Sequence, residues 1–233
     1  MRLLRRRVRH DDGITLIELL VAVSLFGILL VIVSGLYIAT LKTVALSRDL
    51  TANTKAVSTA MNEATRVVRA GTENPIMGTT VSDPVFVVAK ADDMVLYAYI
   101  NLESAEQQPV MIRLRVDRNT GALVESRWRA TDLGNTYWQF PDYRSATPFL
   151  TRTLAQTVAP QATGVAPPFT YVGIDGASKT MPVDGLNETA RRDVVSVKLN
   201  LTVQTSLTDS NHAVTLRNTV GIPNLGFTEE IAP

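Results

Sequence analysis

The 233-residue chain contains no cysteine, which excludes disulfide bonds, thiolate metal ligands and cysteine nucleophiles. It also has no excess of charge of either sign, with 23 lysines and arginines against 22 aspartates and glutamates. This balance excludes a strongly basic nucleic-acid-binding surface and a disordered acidic chain as its dominant character. The hydrophobic share of 45% is compatible with one globular domain that carries an additional segment.

Proline is missing from the first 74 residues, because all 11 prolines lie at or after Pro75. Ten of the 13 glycines likewise lie at or after Gly71. Proline interrupts a helix because it lacks a backbone donor and clashes with the preceding turn. The distribution therefore predicts one long helix from Ile14 to Ala70, followed by a region of strands and loops.

Charge is missing from the 23 residues between Leu19 and Leu41, 18 of which are apolar. A helix needs about 20 such residues to cross a bilayer. The sequence therefore predicts one membrane-spanning segment on a globular protein.

The second half of the predicted helix is amphipathic. Charged and polar side chains at Arg48, Lys55, Asn62 and Arg66 lie opposite an apolar stripe. The stripe consists of Leu46, Leu50, Val57, Met61, Ala64 and Val68. We expect this stripe to pack in the core of the chain's own domain rather than in a coiled coil with a partner.

After Pro75 the apolar residues recur with period two, which predicts strands. Such segments are residues 84–89, 94–100, 110–116, 122–129, 195–203 and 214–220. Asp117 to Gly121 predicts the turn of a hairpin, and a second turn is expected around Asp209 to Asn211. Residues 148–159 fit a helix or a strand, and residues 159–168, with three prolines, predict a surface loop.

These patterns predict an α+β fold with a long N-terminal helix and mainly antiparallel strands. We divide the chain into a basic leader at residues 1–13 and a transmembrane and assembly half of the helix at residues 14–41. The amphipathic half of the helix follows at residues 42–71, and a β-rich globular head occupies residues 72–233.

The N-terminus carries the most specific motif. Five arginines in the first 13 residues precede the run ITLIELLVAVSLFGILLVIVSG. This apolar run is too long for a secretory signal, and no small-x-small cleavage site follows it. A signal anchor with its N-terminus in the cytoplasm fits the length but leaves Glu18 unexplained. A carboxylate costs about 2.5–3.5 kcal/mol at the bilayer centre, and less near the interface, so it normally has a partner or a function.

The run from Gly13 through Ile14-Thr15-Leu16-Ile17 to Glu18, with the unbroken apolar helix after it, resembles the processing signal of type IV prepilins. The resemblance implies a pilin-like fold in which the long helix packs on an antiparallel sheet. It implies cleavage by a prepilin peptidase after Gly13 and N-methylation of Ile14, where phenylalanine is commoner. It also assigns Glu18 a role in assembly, as the partner of the Ile14 ammonium on the same or the next subunit.

Several departures from major pilins favour a minor pilin or a pseudopilin. Gly35 stands where major subunits usually have a proline, and glycine loosens a helix by about 1 kcal/mol relative to alanine. The disulfide loop of many major pilins is impossible here, and cleavage would leave a longer chain than most major subunits have. The segments 191–203 and 215–218 look like the end of J-type pseudopilins and W-type minor pilins. Two adjoining strands of any β-rich domain would give the same pattern.

The resemblance also implies the partners and the location. The partners are the prepilin peptidase, other pilin or pseudopilin subunits, and a membrane that is crossed once; no nucleic-acid partner is evident. The N-terminus is expected in the cytoplasm and the head outside the inner membrane, with later transfer to a pilus or pseudopilus. Cleavage would remove the five leader arginines, leaving 18 basic and 20 acidic side chains.

The sequence gives no indication of an enzyme, a cofactor or a metal centre. His212 is the one histidine after the leader, and we find no H-E-x-x-H, G-x-S-x-G or phosphate-binding glycine loop. Asp92-Asp93 is expected to mark a turn, with a calcium site as the alternative. The aromatic residues Trp128, Tyr137, Trp138, Phe140 and Tyr143 are expected to pack in a core or loop. The alternative function is a signal-anchored extracytoplasmic hydrolase or binding module.

Overall fold

The computed structural model describes residues 14–100, 108–159, 166–208, 210 and 212–225. It contains a helix α1 at Leu16–Arg69, ten strands, and a short helix α2 at Glu188–Arg192. The observed bounds of α1 lie within two residues of the predicted ones. The chain forms two compact units that divide at Arg48 and Asp49, and each is described by itself.

The first unit consists of the N-terminal part of α1. Its large apolar side chains are exposed, and it belongs to the one helix of the described residues that is long and apolar enough to cross a membrane. The hydroxyls of Ser24, Thr40 and Thr43 donate to carbonyl oxygens four residues earlier, at 2.8, 2.9 and 3.0 Å. These three hydroxyls are therefore satisfied within the helix itself.

The second unit contains a five-stranded antiparallel sheet. Its order is β1-β2-β3-β4-β7, with β1 at Phe86–Ala89, β2 at Asp93–Ala98, β3 at Val110–Val116, β4 at Leu123–Arg129 and β7 at Leu150–Ala155. The predicted hairpin between β3 and β4 is confirmed. Gly121 adopts a φ of 70° there, and the Asp117 carboxylate accepts from the backbone N–H of Asn119 at 2.8 Å. The ambiguous segment 148–159 contains strand β7.

A three-stranded antiparallel sheet of order β10-β9-β8 completes the second unit. Its strands are β8 at Phe169–Gly173, β9 at Val194–Val203 and β10 at Val214–Gly221, and a small ribbon pairs β5 at Thr131–Asp132 with β6 at Trp138–Gln139. The pairing of β9 with β10 is confirmed, but β8 and α2 were not predicted. The predicted turn at 209–211 and loop at 159–168 lie largely outside the described residues.

The C-terminal part of α1 contributes one face to the core between the two sheets. Its buried residues are Asn53, Val57, Ala60, Met61, Ala64, Val67 and Val68. The expected core packing of the amphipathic half is therefore confirmed from Val57 onward. The prediction is wrong for Leu46 and Leu50, which are 38% and 39% exposed.

The buried face of α1 begins at Asn53. The Asn53 side-chain amide donates to the Thr205 hydroxyl at 3.2 Å and to the carbonyl oxygen of His212 at 2.9 Å. None of the described helix residues before Asn53 is buried. Leu50 is therefore exposed although it fits the apolar periodicity.

A cluster of charges lies between α1 and the five-stranded sheet. We call it the Glu63 cluster, and it comprises Glu63, Arg66, Glu125, Arg127 and Arg152. The Glu125 carboxylate, with no exposed surface, accepts from Arg127 Nε at 2.5 Å and from Arg152 Nε at 2.7 Å. Glu63 Oε1 lies 3.1 Å from Arg127 Nη2 and 2.5 Å from both Arg152 Nη2 and Arg66 Nη2. The cluster thus joins the helix to β4 and β7.

The charges of this cluster change the protonation of Glu63. Burial alone would raise the pKa of the Glu63 carboxyl, but the Arg66 hydrogen bond and the charges of Arg66, Arg152 and Arg127 lower it below the ordinary value of 4.5. A carboxyl with a lowered pKa in the folded state stabilises the fold above its ordinary pKa. That stabilisation is lost as the pH falls through the folded-state pKa.

Replacement of Glu63 by glutamine tests the Glu63 cluster. We expect the Glu63→Gln variant to lose about 3 kcal/mol of unfolding free energy at pH 7, because it breaks a buried ion pair and leaves Arg127 under-neutralised. The difference from the parent chain should shrink below pH 4.5. Urea unfolding of the full chain in detergent micelles, followed by near-ultraviolet circular dichroism, measures both effects.

Glu188→Gln is the matched control, because Glu188 is 61% exposed and pairs with Arg192 four residues later on the surface. Such surface pairs contribute less than about 1 kcal/mol. Equal losses in the two variants, or a Glu63→Gln loss that does not depend on pH, would contradict this role of Glu63.

Candidate functional site

The first turn of α1 contains a reciprocal set of hydrogen bonds between Thr15 and Glu18. Glu18 Oε2 accepts from the Thr15 backbone N–H and from the Thr15 hydroxyl, both at 2.9 Å. In return, the Glu18 backbone N–H donates to Thr15 Oγ1 at 3.3 Å. Thr15 is thus the N-cap of the helix, and Glu18 is its third residue.

This arrangement is a capping box, the T-x-x-E pattern in which each side chain satisfies a backbone donor of the other residue. It places the Glu18 charge beside unpaired N–H groups at the positive end of the helix dipole. A carboxylate in an otherwise apolar helix therefore has partners within its own first turn. Glu18 is recognisable from the sequence motif, whereas the capping role of Thr15 was not predicted, although Thr15 and Glu18 are the two ends of a T-x-x-E pattern.

The other residues of the processing motif are distributed as follows. Ile14 lies just before the helix and is 78% exposed, while Gly13 lies outside the described residues. Gly35 lies within the continuous α1, and a Cβ atom built on it would meet nothing within 4 Å. Packing within the chain therefore does not require glycine at position 35.

The acidic pair Asp92-Asp93 at the start of β2 is bound by arginines. Asp93 accepts from Arg113 Nε at 2.8 Å and Nη2 at 2.6 Å, and Asp92 accepts from Arg118 Nε at 2.6 Å. Among the residues that the model describes, no group of three or more histidine, aspartate or glutamate side chains could hold a metal ion. His212 Nδ1 lies 3.9 Å from an oxygen of Asp49.

Three of the five aromatic residues pack together on the outer face of the five-stranded sheet. Trp128 is buried there, and its indole N–H donates to the carbonyl oxygen of Ala146 at 2.9 Å. Tyr143 contacts the Trp128 ring edge-on at a centroid distance of 6.5 Å, and Phe140 lies 4.6 Å from the ring of Tyr97. For these residues the expected packing role is confirmed.

Replacement of Thr15 by valine tests the capping box. We expect faster hydrogen exchange at the Glu18 amide in Thr15→Val, because that N–H loses its acceptor and an N-cap contributes about 1 kcal/mol. The measurement is amide exchange by nuclear magnetic resonance in detergent micelles. Thr43→Val is the control, since the Thr43 hydroxyl donates to a carbonyl inside the helix. Unchanged exchange at Glu18 in Thr15→Val would refute the capping role.

Comparison with known families identifies this segment. The family model described as the prokaryotic N-terminal methylation motif matches residues 8–34, which include Gly13, Ile14, Glu18 and most of the apolar run. A comparison with curated proteins gives no match. The matched segment includes the first part of a helix able to span a membrane, and the C-terminal part of that helix packs on antiparallel sheets. The chain therefore carries a prepilin-type N-terminal methylation motif and one helix long and apolar enough to cross a membrane, which supports a membrane-anchored, single-pass protein of the type IV prepilin-like kind.

Proposed function

We propose that the chain is a minor pilin or pseudopilin, a structural subunit of a type IV pilus or a type II secretion system. The observation that carries this proposal is the prepilin methylation motif at residues 8–34, which extends from the leader into the apolar helix. Proteins with this motif are structural subunits, and their motif implies processing by a prepilin peptidase. In this chain, cleavage occurs after Gly13, and Ile14 becomes the methylated N-terminus.

Cleavage changes the electrostatics of the segment in two ways. It removes the five arginines of the leader, which lowers the free energy required for the segment to leave the bilayer. It also creates an ammonium group at Ile14, one residue from Thr15. In a low-dielectric environment this cation attracts the Glu18 carboxylate strongly, on the same subunit or on the next one.

The capping box supports a sequence of two states for Glu18. Before assembly, the carboxylate accepts from the Thr15 backbone and hydroxyl. During assembly, Glu18 exchanges these neutral donors for an ammonium, and hydrogen bonds to charged groups are roughly twice as strong as neutral ones. Glu18 thereby recruits the subunit.

The assignment as a minor subunit is supported by the absence of cysteine and by Gly35. Without cysteine, the chain cannot form the disulfide loop of many major pilins. Gly35 softens the apolar part of α1 at the position where major pilins usually have a proline. Arg217 Nε donates to the Asn200 side chain at 3.1 Å across β9 and β10, where the resemblance to J-type and W-type subunits lies.

The proposed topology follows from the charge distribution of the precursor. Arginines hold the N-terminus in the cytoplasm, so the head lies outside the inner membrane and later belongs to a pilus or pseudopilus. Other pilin-like subunits are the proposed partners in that filament.

Intact mass after co-expression with a prepilin peptidase tests the processing. We expect a chain that begins at Ile14 and carries one added methyl group, because the peptidase cuts after Gly13 and methylates the new amine. Expression without the peptidase provides the control and should give the unprocessed chain. A chain that still begins at Met1 in both samples would leave the signal-anchored hydrolase or binding module as the better interpretation.

Replacement of Glu18 by alanine tests the assembly role. Glu18→Ala should still be cleaved, because the cleavage site precedes it, but should co-purify with the other filament subunits at least tenfold less, a factor that corresponds to about 1.4 kcal/mol. Glu188→Gln, which changes an exposed carboxylate on the surface of the head, provides the control. Normal co-purification of Glu18→Ala would refute the role of Glu18.

A further inference from the structure

A cleft with a volume of about 590 Å³ opens on the head beside β1 and α2. Its charged lining consists of four cations and two carboxylates, on Lys90, Arg113, Arg144, Arg191, Asp93 and Asp184. Four positive charges against two negative ones leave an excess of two positive charges. None of these residues belongs to the processing motif or to the Glu63 cluster.

Two of the arginines converge on one aromatic ring. The guanidinium carbons of Arg113 and Arg144 lie 5.4 and 5.0 Å from the centre of the Tyr143 ring. Arg113 is neutralised by Asp93 through two hydrogen bonds. Arg144 is exposed, and no ion pair links it to any carboxylate in the part of the chain that the model describes. The Tyr143 ring thus holds an available guanidinium at the edge of the cleft.

A third guanidinium also lines the cleft. Arg191, on α2, donates through Nη1 to the carbonyl oxygen of Val87. Its Nε is buried and has no hydrogen-bond partner among the described residues. Lys90, which also lines the cleft, forms no ion pair in the described part of the chain. Three cations of the cleft, on Arg144, Arg191 and Lys90, therefore form no ion pair in the described part of the chain.

We propose that this cleft binds an acidic segment of a partner protein through two carboxylate side chains, one at Arg144 and one on the side of Arg191 and Lys90. The planar guanidinium group matches a carboxylate with two parallel hydrogen bonds. Two carboxylates would neutralise the excess charge, and the volume lies in the range of built ligand sites. The choice of a protein as the source rests on the proposed function, since a filament subunit acts by contact with other proteins.

Titration calorimetry with the full chain in non-ionic micelles tests this site. The probe is a blocked hexaglutamate peptide, with a hexaglutamine peptide as the uncharged control. We expect hexaglutamate alone to bind, and its dissociation constant to rise at least tenfold in Arg144→Gln and in Lys90→Gln. The affinity should also fall with added salt, because exposed charges are screened.

Arg129→Gln is the matched control variant. Its guanidinium lies 4.8 Å from the Phe149 ring, in the same kind of cation–aromatic contact but outside the cleft. We expect this variant to bind hexaglutamate within twofold of the parent chain. Near-ultraviolet circular dichroism of the aromatic residues verifies that all three variants keep the parent fold.

Three outcomes would overturn the proposal. Absence of hexaglutamate binding would refute the site, and equal weakening by Arg129→Gln would show general surface charge instead of a cleft. Citrate that binds as tightly as hexaglutamate would identify a small-molecule site and refute the protein partner. Binding is measured on the isolated chain, so it is independent of processing. A chain that stays unprocessed after co-expression with the peptidase, yet binds hexaglutamate, would contradict the proposed function alone.

Discussion

One continuous helix has to satisfy two different environments, and this constraint shapes the rest of the molecule. From Leu19 to Leu41 it is apolar on all sides, as lipid requires; from Asn53 onward it is apolar on one face, as a protein core requires. Each part of the helix has one carboxylate whose partners are defined by the structure. Glu18 is held by the donors of its own first turn, whereas Glu63 is held by three arginines.

The Glu63 cluster contributes more to the position of α1 on the sheet than to the net free energy of unfolding. Burying charges carries a large desolvation cost, and well-packed apolar residues often stabilise a fold as much or more. A charged cluster nevertheless has one arrangement that satisfies its members. If α1 slid along the sheet by one turn, about 5.4 Å, Glu125 would keep its arginines while Arg127 would lose Glu63. The ion pairs therefore favour one axial position of the helix on β4 and β7.

The elements that the sequence predicted well are those set by local pattern. The bounds of α1 follow from the absence of proline, and the β3–β4 hairpin follows from the turn residues at Asp117 to Gly121. The side-chain placement within β4 could not be predicted in this way. Leu123, Glu125 and Arg127 alternate with Val124, Ser126 and Trp128, and either set could face the core. The inward orientation of two charged residues depends on Glu63, which is more than 60 positions away in the sequence.

Non-local contacts also explain the remaining errors. Leu46 and Leu50 fit the apolar periodicity of α1, but a helix stripe is buried only where another element covers it, and that cover begins at Asn53. In the functional segment, Gly13, Ile14 and Glu18 were found as a motif, while the Thr15 cap was missed although it belongs to a local T-x-x-E pattern. The cationic cleft combines residues from β1, β3, α2 and the loop at Tyr143. Because these residues are far apart in the sequence, no sequence motif could predict the cleft.

The central claim is that the Glu18 carboxylate exchanges the Thr15 cap for a subunit N-terminus when the protein assembles. Solid-state nuclear magnetic resonance can measure this directly in the assembled complex, with ¹³Cδ-glutamate in this chain and ¹⁵N in all subunits. We predict dipolar contact between an N-terminal amine nitrogen and the Glu18 carboxyl carbon at about 4–6 Å, the range in which opposite charges interact strongly. Contact between that carboxyl carbon and the Thr15 amide nitrogen alone would contradict the account.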